Sequence, residues 1–322
     1  MVEFLLQVLL AFDATLRLAT PLILCAMAGI FAERSGVVDI SLEGKLLTGA
    51  FIAAAVTAMT GSPWLGLFGA MIGSMGMSLL HGFATITHKG DQVVSGVAIN
   101  ILAAGLTIII GIALFKTGGQ TPLLDSTDRF RPITLPGVEL LNNIPVVGTI
   151  YREFISGHSP LTYVALAAVP FAFFVLYRTS FGLRLRAVGE LPQAVDSAGI
   201  SVYWLRYRAL IIGGLLCGIA GAYLSISSGS NFIRDMSAGK GFIALAAVIF
   251  GNWRPWKALF ACLLFGFLEA ATSRLQGVEL PLIGEIPVTF MLAIPYIVTV
   301  LLLAGFIGRP SPPAAIGVPY DK

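Results

Sequence analysis

Residues 178–206 read RTSFGLRLRAVGELPQAVDSAGISVYWLR and form one of two long polar interruptions in an otherwise apolar chain. Four arginines lie within this stretch, and Arg208 follows shortly after it. Arginine-rich loops beside apolar spans stay on the cytoplasmic side of a membrane. The stretch is therefore predicted to be a cytoplasmic loop, and its position fixes the side on which every other loop lies.

The same stretch contains a predicted short helix. Pro192 suits the first helical position, where its missing N–H needs no partner, and Gly199 suits the C-terminal cap. The residues between them, 193–198, make about two helical turns. A small capped helix on a basic cytoplasmic loop is more typical of a docking element than of a catalytic site.

Composition places the chain in a membrane. Its 322 residues are 57% apolar and only 11% charged, with a mean hydropathy of +0.88, whereas soluble domains are about 25% charged. So much apolar surface cannot be buried in one water-soluble core, and we predict a polytopic membrane protein. The net charge of +3 is small, and membrane topology explains it without a nucleic-acid partner.

The predicted fold is all-α, a single transmembrane domain over residues 1–322 with about 8–10 transmembrane helices. Two broken or re-entrant segments are expected within it, arranged as a pseudo-repeat. Residues 1–13 are predicted to form an interfacial or half-inserted helix, retained because the N-terminus lacks the basic region of a signal peptide. Full spans are predicted at 14–31, 46–60, 64–85, 92–115, 161–177, 207–227, 258–271 and 287–307. Residues 241–251 are apolar but too short to cross.

The loops and the tail follow from this topology. Residues 116–160 carry no charge bias and are predicted to be an extracytoplasmic loop, whereas the Pro-rich residues 308–322 are predicted to be a flexible tail. With the N-terminus outside, twelve Lys and Arg residues fall inside and eight outside. Four of those eight lie in the long 116–160 loop, and long loops follow the positive-inside rule less strictly.

Two polar breaks each lead into a helix of small residues. The first, at 39–45, reads DISLEGK and precedes FIAAAV at 51–56; the second, at 235–241, reads DMSAGKG and precedes FIALAAV at 242–248. The predicted topology makes them enter from opposite sides of the membrane. Broken helices in inverted repeats are one way to build a substrate site near the bilayer midplane. The alternative is that both are ordinary loop-to-helix junctions.

The candidate pathway residues are polar and aromatic side chains of these breaks, of their helices and of the fourth span. They are Asp39, Ser41, Glu43, Phe51, Gln92, Ser95, Asn100, Asp235, Ser237, Phe242 and Asn252. Hydrogen bonds between helices also explain the polar side chains of the fourth span, and membrane-embedded aromatics more often contact lipid or core. Glu269 lies in an apolar run, where an acid marks a functional site by default, but pairing or snorkelling near Arg274 also explains it.

Three stretches resemble a known family of transport proteins. GLRLRAVGE at 182–190, with Pro192, Ala194, Ala198, Gly199 and Ile200 after it, resembles the coupling loop of ABC-importer permeases of the branched-chain amino acid, sugar and nucleoside permease family. Leu191 and Val195 depart from the pattern, which more usually has Asn and Ala. RSGVVDISLEG at 34–44 resembles a signature of the nucleoside-type members, in which Asn is more usual at position 39. The stretch from Gly241 to Trp253 fits the same subgroup, so the resemblance covers roughly residues 14–307.

The resemblance implies a set of partners. The 178–206 loop would dock into ATP-hydrolysing subunits through Gly182, Arg184, Arg186, Gly189, Glu190, Pro192, Ala194 and Gly199. A second permease, homologous or identical, would complete the translocation path. An extracytoplasmic binding protein or lipoprotein would deliver the substrate to this lipid-embedded subunit of a bacterial plasma membrane. The substrate would be a neutral polar solute, with nucleosides the first choice and simple sugars the second.

The sequence contains no Gly-x-x-x-x-Gly-Lys-Ser/Thr phosphate loop. We therefore expect this chain to bind no cofactor and ATP to be bound by the partner ATPase. The three cysteines lie singly in apolar runs and the histidines are scattered, so neither a metal site nor an enzyme is predicted. The alternative from another class is an ion-driven secondary transporter, which would be expected to carry acidic or His residues deep in several spans. A purely structural membrane subunit is a third option, which the paired breaks disfavour.

Overall fold

A computed structural model describes residues 2–134, 151, 156–275, 279–280, 284–285, 293, 297–298, 301 and 311–321. Nearly all of the described secondary structure is helical. The only described sheet is a small antiparallel hairpin that pairs Glu279–Leu280 with Gly284–Glu285. The predicted all-α membrane bundle is thus confirmed.

Ten helices are described. They are α1 (Val2–Arg34), α2 (Leu42–Thr60), α3 (Pro63–Gly82), α4 (Gln92–Phe115), α5 (Pro160–Arg178), α6 (Ser180–Glu190), α7 (Pro192–Ser197), α8 (Val202–Tyr223), α9 (Lys240–Phe250) and α10 (Pro255–Leu275). Single π-helical turns, Phe83–Thr87 and Leu224–Ser228, extend α3 and α8. Seven helices within the described ranges are long and apolar enough to cross a membrane: α1 to α5, α8 and α10. The span predicted at 287–307 falls almost wholly outside the described residues.

Local sequence signals set several of these helix ends. The Asp91 side chain accepts a hydrogen bond from the Val94 N–H at 2.8 Å and caps α4. Ser159 caps α5, which begins with Pro160. Helix α2 ends at Gly61, whose φ of +67° is the left-handed conformation that glycine adopts without strain.

Helix α1 differs from the prediction at its N-terminal end. Residues 1–13 were expected to form a separate interfacial helix, but Val2–Arg34 is one continuous helix of 33 residues. Asp13 does not end the helix, because its carboxylate pairs with Arg17 one turn later at 3.1 Å. The part of α1 that is apolar enough to cross the membrane is Ala11–Arg34.

Helices α1, α2 and α8 form the interior of the bundle. Most of the apolar residues of α1 from Ala19 to Ala32 are fully buried. Helix α8 packs closely on α3, since a Cβ atom added at Gly218 would lie 2.5 Å from the Met71 Cα. Small residues at helix contacts allow this approach in membranes. Helix α4 is mostly exposed on the bundle surface.

One end of the bundle gathers the elements that were predicted to be cytoplasmic. A Cβ atom at Gly189 would lie 2.3 Å from the Arg34 carbonyl oxygen, so α6 rests on the end of α1. The Arg34 Nε donates to the Trp253 carbonyl at 3.1 Å, which places the end of α9 there as well. Lys45 and Lys240 had been counted as loop charges but lie in the first turns of α2 and α9. Removing both from the count leaves the charge bias in the same direction.

The C-terminal residues 311–321 also lie at this end, which corrects the prediction of a flexible tail over 308–322. The Ala315 N–H donates to the Gly189 carbonyl at 2.8 Å, and the Gly317 N–H donates to the Gly36 carbonyl at 3.0 Å. Ala315 and Tyr320 are buried. Proline has no backbone N–H, so this Pro-rich composition disfavours a helix or a strand. The residues are ordered instead by their contacts with other elements.

Candidate translocation and coupling sites

The two predicted breaks meet inside the bundle. The carboxylate of Glu43, at the start of α2, accepts hydrogen bonds from the Ser237 hydroxyl at 2.6 Å, the Gly239 N–H at 2.8 Å and the Gly241 N–H at 2.7 Å. These groups form the N-terminus of α9. A carboxylate there binds unpaired N–H groups and complements the positive end of the helix dipole. Glu43 therefore joins the first broken segment to the second.

The contact between the breaks is also close. A Cβ atom at Gly241 would lie 2.4 Å from the Glu43 backbone nitrogen. Only glycine leaves the backbones of α2 and α9 room to approach in this way. This contact explains the glycine of the second segment, whereas Gly44 of the first segment packs against Asn100 of α4.

This junction lies beside the first part of α4, which is long and apolar enough to cross a membrane. Asn100 accepts from the Gly44 N–H at 2.8 Å and donates to the Ile40 carbonyl at 3.1 Å. Asn100 is eight residues into α4, which is about 12 Å from the cytoplasmic end of that helix. A hydrocarbon core is about 30 Å thick, so the first break reaches well into it. Irregular backbone at that depth requires protein around it, and Asn100 supplies part of that cover.

Helix α9 completes the second half of the crossing. Its 11 residues are about 16 Å long, roughly half of a hydrocarbon core. It runs from the Glu43 junction to the cytoplasmic end beside Arg34. The two segments therefore approach the junction from opposite ends of the bundle; which end is cytoplasmic stays a prediction.

A buried ion pair holds the first break. The Lys45 ammonium lies 2.6 Å and 2.8 Å from the two Asp39 carboxylate oxygens, and both side chains are wholly buried. The Ser41 hydroxyl donates to the same carboxylate at 2.6 Å. A buried charge is stable only when it is paired and hydrogen-bonded. This cluster therefore fixes the turn that connects α1 to α2.

Side chains from α3 and α4 complete the cover of this turn. The Gln92 side-chain oxygen accepts from the Val38 N–H at 2.6 Å. The His81 ring lies 3.0 Å from the Val38 carbonyl through Nε2 and 3.0 Å from the Ser95 hydroxyl through Nδ1. The polar residues predicted for the fourth span thus do form hydrogen bonds between elements.

Seven of the eleven predicted pathway residues lie together, and the other four lie at separate positions. Asp39, Ser41, Glu43, Gln92, Ser95, Asn100 and Ser237 form the hydrogen-bonded junction of the breaks. Phe51 is buried edge-to-face against Phe232 at a ring distance of 5.2 Å. Phe242 is 48% exposed. Asp235 pairs with Arg234 at 3.3 Å, and both side chains are largely exposed.

Asn252 lies apart from the others, at the cytoplasmic end of α9. Its side-chain oxygen accepts from the Ser311 N–H at 3.0 Å. A pathway-lining role stays a prediction for all of these residues. Asp39, Ser41 and Gln92 face protein here, so they support the breaks and do not line an opening in this conformation.

The sequence reading missed two pairs that hold α9. The Trp253 indole N–H donates to the buried Glu33 carboxylate, which ties the end of α9 to α1. The Lys240 ammonium lies 2.6 Å from the Glu269 carboxylate of α10. The expected pairing of Glu269 is confirmed, but its partner is Lys240 and not Arg274. Single charged residues in apolar runs could have indicated these pairs, because such residues are usually buried with a partner. The sequence does not identify which residue that partner is.

The 178–206 loop contains the predicted helix and one more. Helix α7 begins at Pro192, and the Gly199 N–H, at a φ of +76°, donates to the Asp196 carbonyl at 2.9 Å. Helix α6 precedes it and was not predicted. The Thr179 side chain caps α6 by accepting from the Gly182 N–H at 3.1 Å.

The coupling residues named by the resemblance divide into buried and exposed groups. A Cβ atom at Gly182 would lie 2.1 Å from the Val175 carbonyl oxygen, so this glycine packs α6 against α5. Arg186 turns back to the Leu176 carbonyl at 3.0 Å and stacks on Tyr177. Gly189 and Pro192 are buried, whereas Arg184, Glu190, Ala194 and Gly199 are exposed. The exposed leucines of this surface are Leu183 and Leu191.

This architecture defines a polytopic helical membrane protein with two half-crossing segments joined inside the bundle and a paired-helix loop at one end of it. Residues 11–304 match the family model described as "Branched-chain amino acid transport system / permease component", and the chain belongs to this permease family. It is therefore a multi-pass plasma-membrane transport subunit and not an enzyme.

Three characterised sequences are similar to it over most of their length. The guanosine ABC transporter permease protein NupQ of Bacillus subtilis is 43% identical over 318 residues, 96% of this chain and 95% of that protein. The nucleoside ABC transporter permease protein NupC of Lactococcus lactis is 39% identical over 94% of each chain. TsgC13 of Haloferax volcanii, named provisionally as a glucose ABC transporter permease, is 37% identical over 87% of this chain and 82% of its own.

Proposed function

We propose that this chain is the permease subunit of an ATP-driven importer that moves nucleosides into the cell. The similarity to two relatives named for guanosine and nucleosides carries the proposal, because it extends over at least 94% of the chain. It therefore includes the spans, both breaks and the 178–206 loop. A simple-sugar substrate is the second candidate, supported by the 37% identity to TsgC13.

The proposed ATPase contact is the outer surface of α6 and α7. Leu183, Leu191 and Ala194 offer exposed apolar groups there, and Arg184 offers a charge. The inner side of these helices supports this surface, because its residues pack or hydrogen-bond the helices to the bundle. These residues are Gly182, Arg186, Gly189 and Pro192. Two ATPase subunits bind ATP and close, and the docked helices pass that motion to the spans. The ATP sites belong to those partner subunits.

The proposed path runs between this chain and a second permease, homologous or identical. Of the two candidate aromatic residues, Phe242 is the exposed one, and it lies at the start of α9 beside the Glu43 junction. An aromatic ring can stack on a nucleobase or a sugar ring. The hydrogen-bonded groups behind it leave few unpaired charges, which suits an uncharged polar solute. A binding protein or lipoprotein would deliver that solute at the extracytoplasmic loop that starts at residue 116.

Transport by the reconstituted assembly tests the substrate and the energy source together. The chain is purified from its host in mild detergent with the subunits that accompany it, and placed in vesicles. ATP is expected to drive uptake of labelled guanosine, with unlabelled uridine competing and glucose having no effect. Competition by glucose alone would select the sugar importer. Uptake that needs an ion gradient and no ATP would identify a secondary transporter and overturn the proposal.

Copurification tests the coupling surface. Ala194→Trp places a bulky side chain on exposed α7, and Thr127→Trp places the same side chain on the exposed extracytoplasmic loop. The first is expected to lose the copurifying ATPase, as detected by mass spectrometry, and the second to retain it. Equal recovery of the ATPase with both variants would place the docking surface elsewhere. A second permease sequence in the wild-type sample would distinguish a heterodimer from a homodimer.

A further inference from the structure

The C-terminal segment 311–321 contacts several separate elements of the cytoplasmic end. At one end, the Ser311 N–H donates to the Asn252 side chain at 3.0 Å, beside the end of α9. In the middle, the Ala314 N–H donates to the Glu190 carboxylate at 3.2 Å and the Ala315 N–H donates to the Gly189 carbonyl. The segment therefore joins the second broken segment to the end of α6.

The remaining contacts extend to the first broken segment. The Gly317 N–H donates to the Gly36 carbonyl at 3.0 Å, where α1 gives way to the break. Arg206 bridges the C-terminal segment and the residues that follow α1. Its Nε donates to the Ser35 carbonyl and its Nη1 to the Val318 carbonyl, each at 3.2 Å. The Tyr203 hydroxyl donates to the Tyr320 carbonyl at 3.2 Å, and Lys89 pairs with Asp321.

These contacts depend on the backbone of the segment more than on its side chains. Residues 311–321 form neither a helix nor a strand, so the hydrogen bonds to other elements determine their path. Ala315 is only four positions after Ser311, and four residue steps reach at most about 14 Å. A displacement of α6 larger than the slack in this short link must either move Asn252 or break the link.

We propose that residues 311–321 are a positioning segment for transport, which couples movement of α6 and α7 to the cytoplasmic ends of the two broken segments. The inference rests on the proposed function, since it assumes that an ATPase moves α6 and α7. The end of α6 also packs directly on Arg34, which contacts the Trp253 carbonyl. The C-terminal segment is thus a second connection between α6 and the end of α9. It differs from the first in that it binds the Asn252 side chain.

Three variants and one control test the proposal. Ala315→Pro removes the N–H that bonds Gly189, and Asn252→Gly removes the acceptor for Ser311 while suiting the left-handed φ of 51° at that position. A chain ending at Pro310 removes the whole segment. Val318→Ala is the control, because it keeps the backbone carbonyl that Arg206 contacts and changes a side chain that is 54% exposed.

The measurement is the amount of guanosine transported per ATP hydrolysed by the assembled complex in vesicles. The three variants are expected to retain the ATPase subunits and their hydrolysis but to transport about fivefold less guanosine per ATP, a typical loss of coupling. Val318→Ala is expected to match the wild type.

The other outcomes overturn the proposal in distinguishable ways. An unchanged ratio in Ala315→Pro and Asn252→Gly would show that the segment transmits nothing. Parallel loss of hydrolysis, transport and thermal stability in all three would show a purely structural role. The single substitutions decide the matter where the shortened chain fails to fold. Wild-type complex that hydrolyses ATP and moves no guanosine would overturn the proposed function and this inference with it.

Discussion

The Glu43 carboxylate and the Gly241 N–H are hydrogen-bonded at 2.7 Å although 198 residues separate them in the sequence. The same carboxylate accepts from Ser237 and Gly239. One side chain therefore satisfies the N-terminus of α9 at a depth where water is scarce and unpaired N–H groups are costly. The junction of the two broken segments depends on this residue.

Replacing Glu43 by Ala is expected to destabilise the protein by about 2 kcal/mol or more, since buried donors lose a charged acceptor. Glu43→Gln keeps one acceptor oxygen and is expected to cost less. Thermal unfolding in detergent, followed by the loss of monodisperse protein, measures both. Asp125→Asn removes an exposed loop carboxylate and serves as the control. Equal midpoints for Glu43→Ala and Asp125→Asn would contradict the capping role.

Gly241→Ala is expected to separate α2 from α9. The added Cβ atom meets the Glu43 backbone at 2.4 Å, and overpacking of this kind costs about 1–3 kcal/mol. Gly105→Ala is the matched control, because a Cβ atom there has no neighbour within 4 Å. The yield of folded protein and its unfolding midpoint should fall for the first variant only. A Gly241→Ala protein as stable as Gly105→Ala would show that the two helices can move apart freely.

The Asp39–Lys45 pair is expected to show strong non-additivity. Asp39→Asn leaves a buried ammonium without its counter-charge, and Lys45→Met leaves a buried carboxylate, each costing about 3–5 kcal/mol. The double variant Asp39→Asn with Lys45→Met removes both charges and is expected to be more stable than either single variant. Unfolding midpoints of the four proteins form a double-mutant cycle. Simple addition of the two losses would show that the ions do not interact.

Trp253→Phe is expected to loosen the cytoplasmic end of α9. The change removes the indole N–H and leaves the buried Glu33 carboxylate without that donor, at a cost of about 1–3 kcal/mol. Trp256→Phe makes the same substitution at a side chain that is 45% exposed. Hydrogen exchange of residues 240–253 should accelerate in the first protein and stay unchanged in the second. Similar exchange rates in both proteins would show that the Trp253 indole stabilises the end of α9 by packing and not by its hydrogen bond to Glu33.

The features that were predicted correctly are the ones that local signals determine. Pro192 and Gly199 mark the ends of α7 within a few residues, and the polar stretches at 39–45 and 235–241 interrupt apolar runs. The contacts of these features were not predicted, because nothing near Glu43 in the sequence indicates that Gly241 lies beside it. The same holds for Glu33 and Trp253.

Two errors have similar physical causes. Asp13 suggested a boundary after residue 13, but its ion pair with Arg17 lies within one continuous helix. The Pro-rich tail suggested disorder because it cannot form a helix of its own. Its order comes from partners such as Gly189 and Gly36, which composition does not report.

The position of the last residues has a practical consequence for protein engineering. Asp321 pairs with Lys89, and Tyr320 is buried against the start of α8. A purification tag or fluorescent fusion attached after Lys322 would therefore follow a segment that packs beside α6 and the start of α8. Under the proposed function this is the side on which an ATPase docks, so such a fusion is expected to reduce the amount of copurifying ATPase. Fusions for expression trials are better placed at the N-terminus, at the opposite end of the bundle.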